Sequence, residues 1–491
     1  MRILCILVLA GLLSAEQLSE WRVQGPGRDP VMRCEDLRSL TGYEFSVASA
    51  ELIPAVQDTP QHCRVSGLVQ PEVAFEVNLP ASWNGRLYMF GNGGYAGESF
   101  DQAGRPAVRT RGLRNHFMTA ATNTGHDARP EPGGTFAATP QKLLDYAFRA
   151  IHVTAETAKK LSSAYYGTGP SKSFFDACST GGRQGLMSAQ RFPADFDGIL
   201  VGAPVLNFSG TMLSYTWMNQ KIVSAPIRED QLKTLQARVM AVCDEKDGLK
   251  DGLIQDPRRC DFQPARDLPK CDNPSANCFS PSQIATLERM YSDVIAGGKR
   301  VFPGWPVGGE EGWVNWLVKD SPPSIAQGFL NSFFRDLTRL HLDWREIDLD
   351  RDPPKLEPIH KILDATDPNL TAFRDRGGKI LMYFGWADQA LNPRMGIEYY
   401  EQVQKQMGSG TTDFFRLYMI PGMYHCGGGP GPNQFDAFTP LVNWTEKGTA
   451  PEALRATNAH QSRPLCVYPQ VARYSGTGSI DDAASFRCVT Q

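Results

Sequence analysis

Short, wholly apolar runs alternate with segments of helical apolar spacing at two places in the chain, and this alternation predicts most of the architecture. Residues 85–90 read as a buried strand running into Gly91-Asn92-Gly93-Gly94, a loop whose glycines permit a very tight turn. Residues 140–166 carry Leu143, Leu144, Tyr146, Ala147, Ala150 and Ile151 at helical intervals, which predicts a helix. Residues 173–177 predict a short strand, 185–191 the start of a helix, and 198–202 another strand. The pattern resumes with a strand at 379–384, a helix at 395–406 and a strand at 414–419. Strands that alternate with helices predict a mainly parallel sheet covered on both faces, an α/β core.

Between the two regions, over 205–371, the alternation is lost. Cysteine, proline and tryptophan become frequent, and Trp217, Trp305, Trp313, Trp316 and Trp344 all lie here. This predicts a second domain inserted into the first, with the core divided between 16–204 and 372–491.

A chain of 491 residues exceeds one ordinary domain of roughly 100–200 residues, which agrees with an insertion. With 41% hydrophobic and 21% charged residues the chain is globular, and disordered or fibrous classes are excluded. A formal net charge of -3 gives no sign of a nucleic-acid partner or an anionic membrane surface. Met1-Arg2, the apolar run to Leu13 and the small residues Ser14-Ala15 predict a secretory signal peptide over 1–15, too short to span a bilayer of roughly 30 Å. Export, to the periplasm or the medium, suits the cysteines. Removing Cys5 from the 11 leaves an even set, as a disulfide framework requires, while the absence of C-x-x-C makes structural zinc the weaker rival.

The strongest chemical signal is Asp176-Ala177-Cys178-Ser179-Thr180-Gly181-Gly182, which follows a strand and opens a helix. That is the setting of a G-x-S-x-G nucleophile elbow, with Ala177 at the first small position. A serine needs a base, usually a histidine held by a carboxylate. Histidines number only 8; His425 falls in a loop after the last strand, and Asp388 just after the strand at 379–384. Ser179, Asp388 and His425 occur in the chain order of an α/β-hydrolase triad. Cys178 precedes the serine and Cys426 follows the histidine, so a triad would also bring these cysteines within disulfide reach. The rival reading makes Cys178 itself the nucleophile. Thr180 and either Gly93 or Gly94 are the candidate N–H donors of an oxyanion hole. In the insert, Asp244, Asp247 and Asp251 crowd between glycines. Such oxygens suit a hard cation such as calcium, and the stretch reads equally well as a solvated acidic turn.

Taken together, Gly91 to Gly97, Thr122-Asn123-Thr124-Gly125-His126-Asp127, Cys178 to Gly185, Cys243 to Asp251, Gly385 to Asp388, His425-Cys426 and Arg463-Pro464-Leu465-Cys466 resemble the tannase and feruloyl esterase family over nearly the whole chain. The resemblance implies an α/β-hydrolase core with a large inserted lid domain and a Ser179–Asp388–His425 triad. It implies structural Ca2+ in the lid on Asp244, Asp247, Asp251 and the carbonyls of Leu249 and Leu253. With proximity, it suggests the disulfides Cys34–Cys63, Cys178–Cys426, Cys243–Cys260, Cys271–Cys278 and Cys466–Cys488. Ala177, where the family usually has Gly, and Asn123, where Asp is common, are departures. The implied activity is hydrolysis of galloyl or hydroxycinnamoyl esters, with mono(2-hydroxyethyl) terephthalate as an alternative substrate. A ligand-binding protein on a hydrolase scaffold is the non-enzymatic alternative. Phe329, Phe333, Phe334 and Arg335 are candidate substrate-pocket residues, with lid core as the other reading.

Overall fold

The computed structural model describes residues 27–490 together with Trp21, Val23 and Gly25; the leader expected over 1–15 lies outside them. Nine strands form one sheet: β1 (Ser46–Ile53), β2 (His62–Val69), β3 (Val73–Pro80), β4 (Arg86–Phe90), β5 (Met118–Thr122), β6 (Lys172–Cys178), β7 (Gly198–Gly202), β8 (Lys379–Gly385) and β9 (Phe415–Ile420). Their order is β1-β2-β3-β5-β4-β6-β7-β8-β9. From β5 across to β9 every neighbouring pair is parallel. β1, β2, β3 and β5 pair antiparallel. The parallel half is the α/β core the apolar runs predict. The antiparallel half was not foreseen, because β1 and β2 are half-exposed and mix polar with apolar residues.

Successive side chains of a strand point to opposite faces, and the sheet uses both. Leu87, Met89, Phe175, Ile199, Val201, Ile380 and Met382 enter one core, under α1 (Ala150–Tyr166), α2 (Thr180–Arg191) and α3 (Pro393–Met407). Tyr88, Phe90, Phe174, Leu200 and Leu381 enter the other, packed on Phe438, Leu441 and Trp444 of α4 (Phe438–Lys447). Each such burial is worth about 1.5–3 kcal/mol, so a shift of register by one residue would disrupt both layers.

The segment between β7 and β8 contributes no strand to the sheet; it consists of helices, short turns and one hairpin, Val294–Ala296 with Lys299–Phe302. The C-terminal segment adds two hairpins stapled by Cys466–Cys488. The other disulfides are Cys34–Cys63, Cys178–Cys426, Cys243–Cys260 and Cys271–Cys278. Among the described residues no helix is long and apolar enough to cross a membrane.

Candidate active site

β6 delivers Ser179 to the carboxyl ends of the parallel strands, and the chain reverses there within one residue. Ser179 has φ 64° and ψ -125°, a strained backbone conformation for a residue with a side chain, and Thr180 already opens α2. The turn is so tight that a Cβ on Gly181 would stand 2.4 Å from Ala177 Cβ, and one on Gly182 would stand 2.6 Å from the Gly202 carbonyl oxygen. Ala177 is tolerated because both its neighbours are glycine: a Cβ on Gly91 would lie 2.7 Å from the Ala177 methyl. The other departure is explained too. Asn123 Oδ1 accepts from the N–H groups of Ala74 and Gly125, both at 2.9 Å, while its amide donates to the Glu72 carbonyl at 3.3 Å. An aspartate could not make the last bond.

Asp388 and His425 meet because the loops after β8 and β9 run side by side. Trp386 N–H donates to the Ile420 carbonyl and Ala387 N–H to the Met423 carbonyl. The crossing is close enough that a Cβ on Gly385 would lie 2.1 Å from the Met423 carbonyl oxygen. Asp388 is buried; Oδ1 accepts from the N–H groups of Ala390 and Leu391, both at 2.8 Å, and Oδ2 bonds His425 Nδ1 at 2.9 Å. With Nδ1 committed to the carboxylate, Nε2 is the nitrogen left for proton transfer. Gln389 Oε1 accepts the His425 N–H at 3.1 Å and fixes the loop. The Cys178–Cys426 disulfide, with Cα atoms 5.9 Å apart, joins the elbow to this loop. It also removes Cys178 as a rival nucleophile, since a disulfide sulfur is no thiolate.

The glycine loop lies against the elbow. Thr180 Oγ1 donates to the Gly94 carbonyl at 2.7 Å, and Tyr146 OH donates to the same oxygen at 3.0 Å. As the first residue of α2, Thr180 has an N–H without an acceptor inside the helix. The expectation that Gly93 could supply a second donor is corrected: its N–H is taken by Glu98 Oε1 at 3.1 Å. Gly94 is the member of the loop that remains.

The insert covers this site with aromatic rings. Trp316 stands with its centroid 5.9 Å from that of His425 and 6.0 Å from that of Phe329. Phe329 lies over the glycine loop, where a Cβ on Gly94 would meet its Cζ at 3.7 Å, and packs on Tyr95 at 5.1 Å between centroids. Phe333, Phe334 and Arg335 do not join it. Phe333 and Phe334 are fully buried, Phe333 against Phe208, and Arg335 is exposed and forks onto Asp336. They are lid core and surface, because the interior of the insert has apolar partners for the two rings and none for a guanidinium. Trp316, Tyr95, Gln389 and Glu98 were not singled out from the sequence. The tryptophan-rich texture of the insert was the available signal for Trp316.

In the acidic turn, Asp244 Oδ1 accepts from the N–H groups of Asp251 and Gly252, and Asp247 Oδ1 from Leu249. Asp251 Oδ2 pairs with buried Arg463 at 2.7 Å. Burial pushes the Asp247 carboxyl up to about 6, with neighbouring Asp251 and Asp244 adding to the rise, and burial likewise raises Asp244. As they stand, no three acidic, histidine or cysteine side chains among the described residues converge in a metal-ligand arrangement.

Residues 57–489 match the family described as tannase and feruloyl esterase. A mono(2-hydroxyethyl) terephthalate hydrolase of Piscinibacter sakaiensis is 32% identical, covering 87% of this chain and 85% of its own. A probable feruloyl esterase of Arthroderma benhamiae is also 32% identical, over 89% and 85% respectively. The crystal structure of feruloyl esterase B from Aspergillus oryzae superposes with a TM-score of 0.83 at 27% identity, covering 93% of this chain and 99% of that one.

Proposed function

The chain belongs to the tannase and feruloyl esterase family of carboxylic ester hydrolases, and on that premise we propose that it cleaves esters of aromatic acids through an acyl-enzyme on Ser179. The observation that carries the assignment is the buried Asp388–His425 hydrogen bond, tied to the serine elbow by Cys178–Cys426. Ser179 Oγ attacks the ester carbonyl carbon while His425 Nε2 takes its proton. The oxyanion that forms is held by the N–H groups of Thr180 and Gly94. Collapse of the tetrahedral intermediate breaks the ester C–O bond, and His425 returns the proton to the departing alkoxide. Water then attacks the acyl-enzyme with His425 as base and releases the acid. Asp388 keeps the imidazole in the required tautomer and stabilises the imidazolium. A binding-only role is set aside, because the chain carries the nucleophile, base and acid of its enzyme family.

The aromatic character of the acid is supported by Trp316, Phe329 and Tyr95, a cluster of rings beside His425 that a planar acyl group can pack against. A hydroxycinnamoyl or galloyl group suits them better than the terephthalate half-ester. The latter carries a free carboxylate, and Arg335, the one cation among the candidate pocket residues, is exposed and paired with Asp336 away from these rings. Five disulfides support a secreted or periplasmic protein. Calcium on Asp244, Asp247, Asp251 and the carbonyls of Leu249 and Leu253 belongs to the same proposal. The donor set is all oxygen, and burial, with neighbouring carboxylates adding to it, raises Asp244 and Asp247, a cost of holding charge there that a divalent cation would relieve.

The test is Ser179→Ala, which should lower kcat by on the order of 10⁴–10⁶ and abolish labelling by a fluorophosphonate. A folded variant that keeps more than a few per cent of activity overturns the assignment. Comparing kcat/KM for methyl ferulate, methyl gallate and mono(2-hydroxyethyl) terephthalate decides the acyl group.

A further inference from the structure

Glu98 lies outside the triad and touches none of its members, yet it occupies the point from which the glycine loop is oriented. Its carboxylate is 14% exposed and serves three donors. Oε1 accepts the Gly93 N–H at 3.1 Å, and Oε2 accepts Asn92 Nδ2 at 2.9 Å and Arg105 Nη1 at 2.6 Å. Arg105 is itself buried, lies over the Phe90 ring at 5.1 Å, and reaches the carbonyls of Gly91 and Thr122 at 3.4 Å. Asn92 Nδ2 also donates to the Thr122 carbonyl at 2.9 Å, and Asn92 N–H to Gln184 Oε1 at 3.1 Å.

These contacts fix the loop one peptide at a time. Gln184 and Glu98 hold successive N–H groups, of Asn92 and Gly93, and Thr180 with Tyr146 holds the Gly94 carbonyl. Gly94, at φ 52°, is a joint that glycine leaves sterically free to turn, and the Gly93–Gly94 peptide that carries its N–H is also held by Ala96 N–H donating to the Gly93 carbonyl at 2.8 Å. The direction of the Gly94 N–H is therefore set by three ties: the Ala96 bond on its own peptide, Glu98 on the preceding N–H and Thr180 on the following carbonyl. An oxyanion donor must be aimed before the charge develops, since a donor that reorients during the reaction forfeits most of its value.

We propose that Glu98, clamped by Arg105, is a positioning residue for the oxyanion hole: by engaging the Gly93 N–H and the Asn92 amide it presents the Gly94 N–H to the developing oxyanion. The inference rests on the serine-esterase reading and names which residue outside the triad aligns its transition state. It also explains why the Gly93 N–H is not a donor to substrate.

The experiment compares Glu98→Ala and Glu98→Gln with the parent enzyme on methyl ferulate, and measures inhibition by an aryl boronic acid, which forms a tetrahedral adduct on serine, beside inhibition by ferulate. Glu98→Ala should lower kcat about 10²-fold with KM changed less than threefold, because misaiming one donor leaves ground-state binding intact. Boronate affinity should fall in step with kcat, and ferulate affinity should hold. Glu98→Gln keeps an acceptor for the Gly93 N–H but sets an NH2 against Asn92 Nδ2 and buried Arg105, so it should lose stability while, assayed well below its Tm, keeping distinctly more kcat than Glu98→Ala. Equal loss of ferulate and boronate affinity, or a glutamine variant as impaired as the alanine one, would reduce Glu98 to a structural residue. A rise in kcat would mean that Glu98 blocks Gly93 as the true donor, and would also overturn the proposal. Retained hydrolysis in Ser179→Ala would instead remove the esterase reading beneath it, whatever the Glu98 variants do.

Discussion

Cys178 and Cys426 are joined across 248 residues of sequence with their Cα atoms 5.9 Å apart, and they are the immediate neighbours of Ser179 and His425, the nucleophile and base of the proposed triad. The bridge therefore fixes Ser179 relative to His425 more directly than any packing contact between their loops. Replacing both cysteines with alanine should lower kcat by on the order of 10²-fold, because displacement of about 1 Å is enough to cost that much, while KM changes less. Stability should fall as well, by roughly 5 kcal/mol if closure of so long a loop acts through chain entropy. Steady-state kinetics with denaturant melts separate the two effects. A double variant with parental kcat would show that the loops hold register without the bridge.

The acidic turn is distant from the triad in sequence but not in space. Leu253 lies under the histidine loop, where a Cβ on Gly422 would meet its Cδ2 at 2.8 Å, and Leu253, Ile254, Ala387 and Gly422 line one small crevice. If calcium holds this turn, chelation should lower the Tm and also slow turnover, since the turn supports the segment that carries His425. Elemental analysis and a melting curve with and without chelator check this. No bound calcium together with an unmoved curve leaves only an acidic turn. Independently of metal, Asp251→Asn should cost on the order of 3–5 kcal/mol, because it strands the buried Arg463 guanidinium.

What the sequence revealed, and what it hid, follows from how far each feature depends on neighbours in space. Ser179, Asp388 and His425 were legible because rare residue types fell at strand ends in a fixed chain order. The disulfide beside them was legible because adjacency in sequence to two residues that must meet implies adjacency in space. β3 was missed although its last six residues are all buried, because it mixes Glu76 and Asn78 with its apolar positions, and these are satisfied by each other and by Thr119 and Arg109 from other segments. Phe329 and Phe333 look alike in the sequence. One covers Gly94 and the other packs on Phe208, a difference made by tertiary neighbours alone. Nothing in the sequence sets Glu98 apart from other carboxylates, and only the fold brings the Gly93 N–H, Asn92 and Arg105 to it.

Glu310 should make stability fall as pH rises. It is fully buried, accepts from the Gly308 N–H and from Tyr291 OH, and burial pushes its carboxyl up to about 7. Its unfolded value is near 4.5, so between pH 4.5 and 7 the native state binds more protons than the unfolded state. Unfolding free energy must then decrease with increasing pH in this window. The difference between the two values corresponds to on the order of 3 kcal/mol. Glu310→Gln cannot ionise, so the stability gap between parent and variant should move in the variant's favour from pH 5 to pH 8. Urea midpoints at the two pH values measure it; a constant gap would mean that Glu310 does not titrate in that range.

Trp316 links the lid to the triad by two routes, and a substitution can separate them. Its ring faces the His425 imidazole and the Phe329 ring, where an aromatic acyl group would stack. Its Nε1 donates to Tyr215 OH at 2.8 Å; Tyr215 in turn donates to the Ala390 carbonyl, and the Ala390 N–H donates to Asp388 Oδ1. Stacking of one aromatic pair is worth about 0.5–1.5 kcal/mol, or roughly two- to tenfold in binding. Trp316→Phe should keep the stack and break the indole link, so it should alter kcat for methyl ferulate and for an aliphatic ester such as ethyl acetate by similar small factors. Trp316→Ala removes both, and should raise KM for methyl ferulate several-fold more than for the aliphatic ester. If the two esters lose equally in Trp316→Ala, the ring acts only through Tyr215 and the Asp388 loop, and selection of the aromatic acid must be sought in Phe329 and Tyr95.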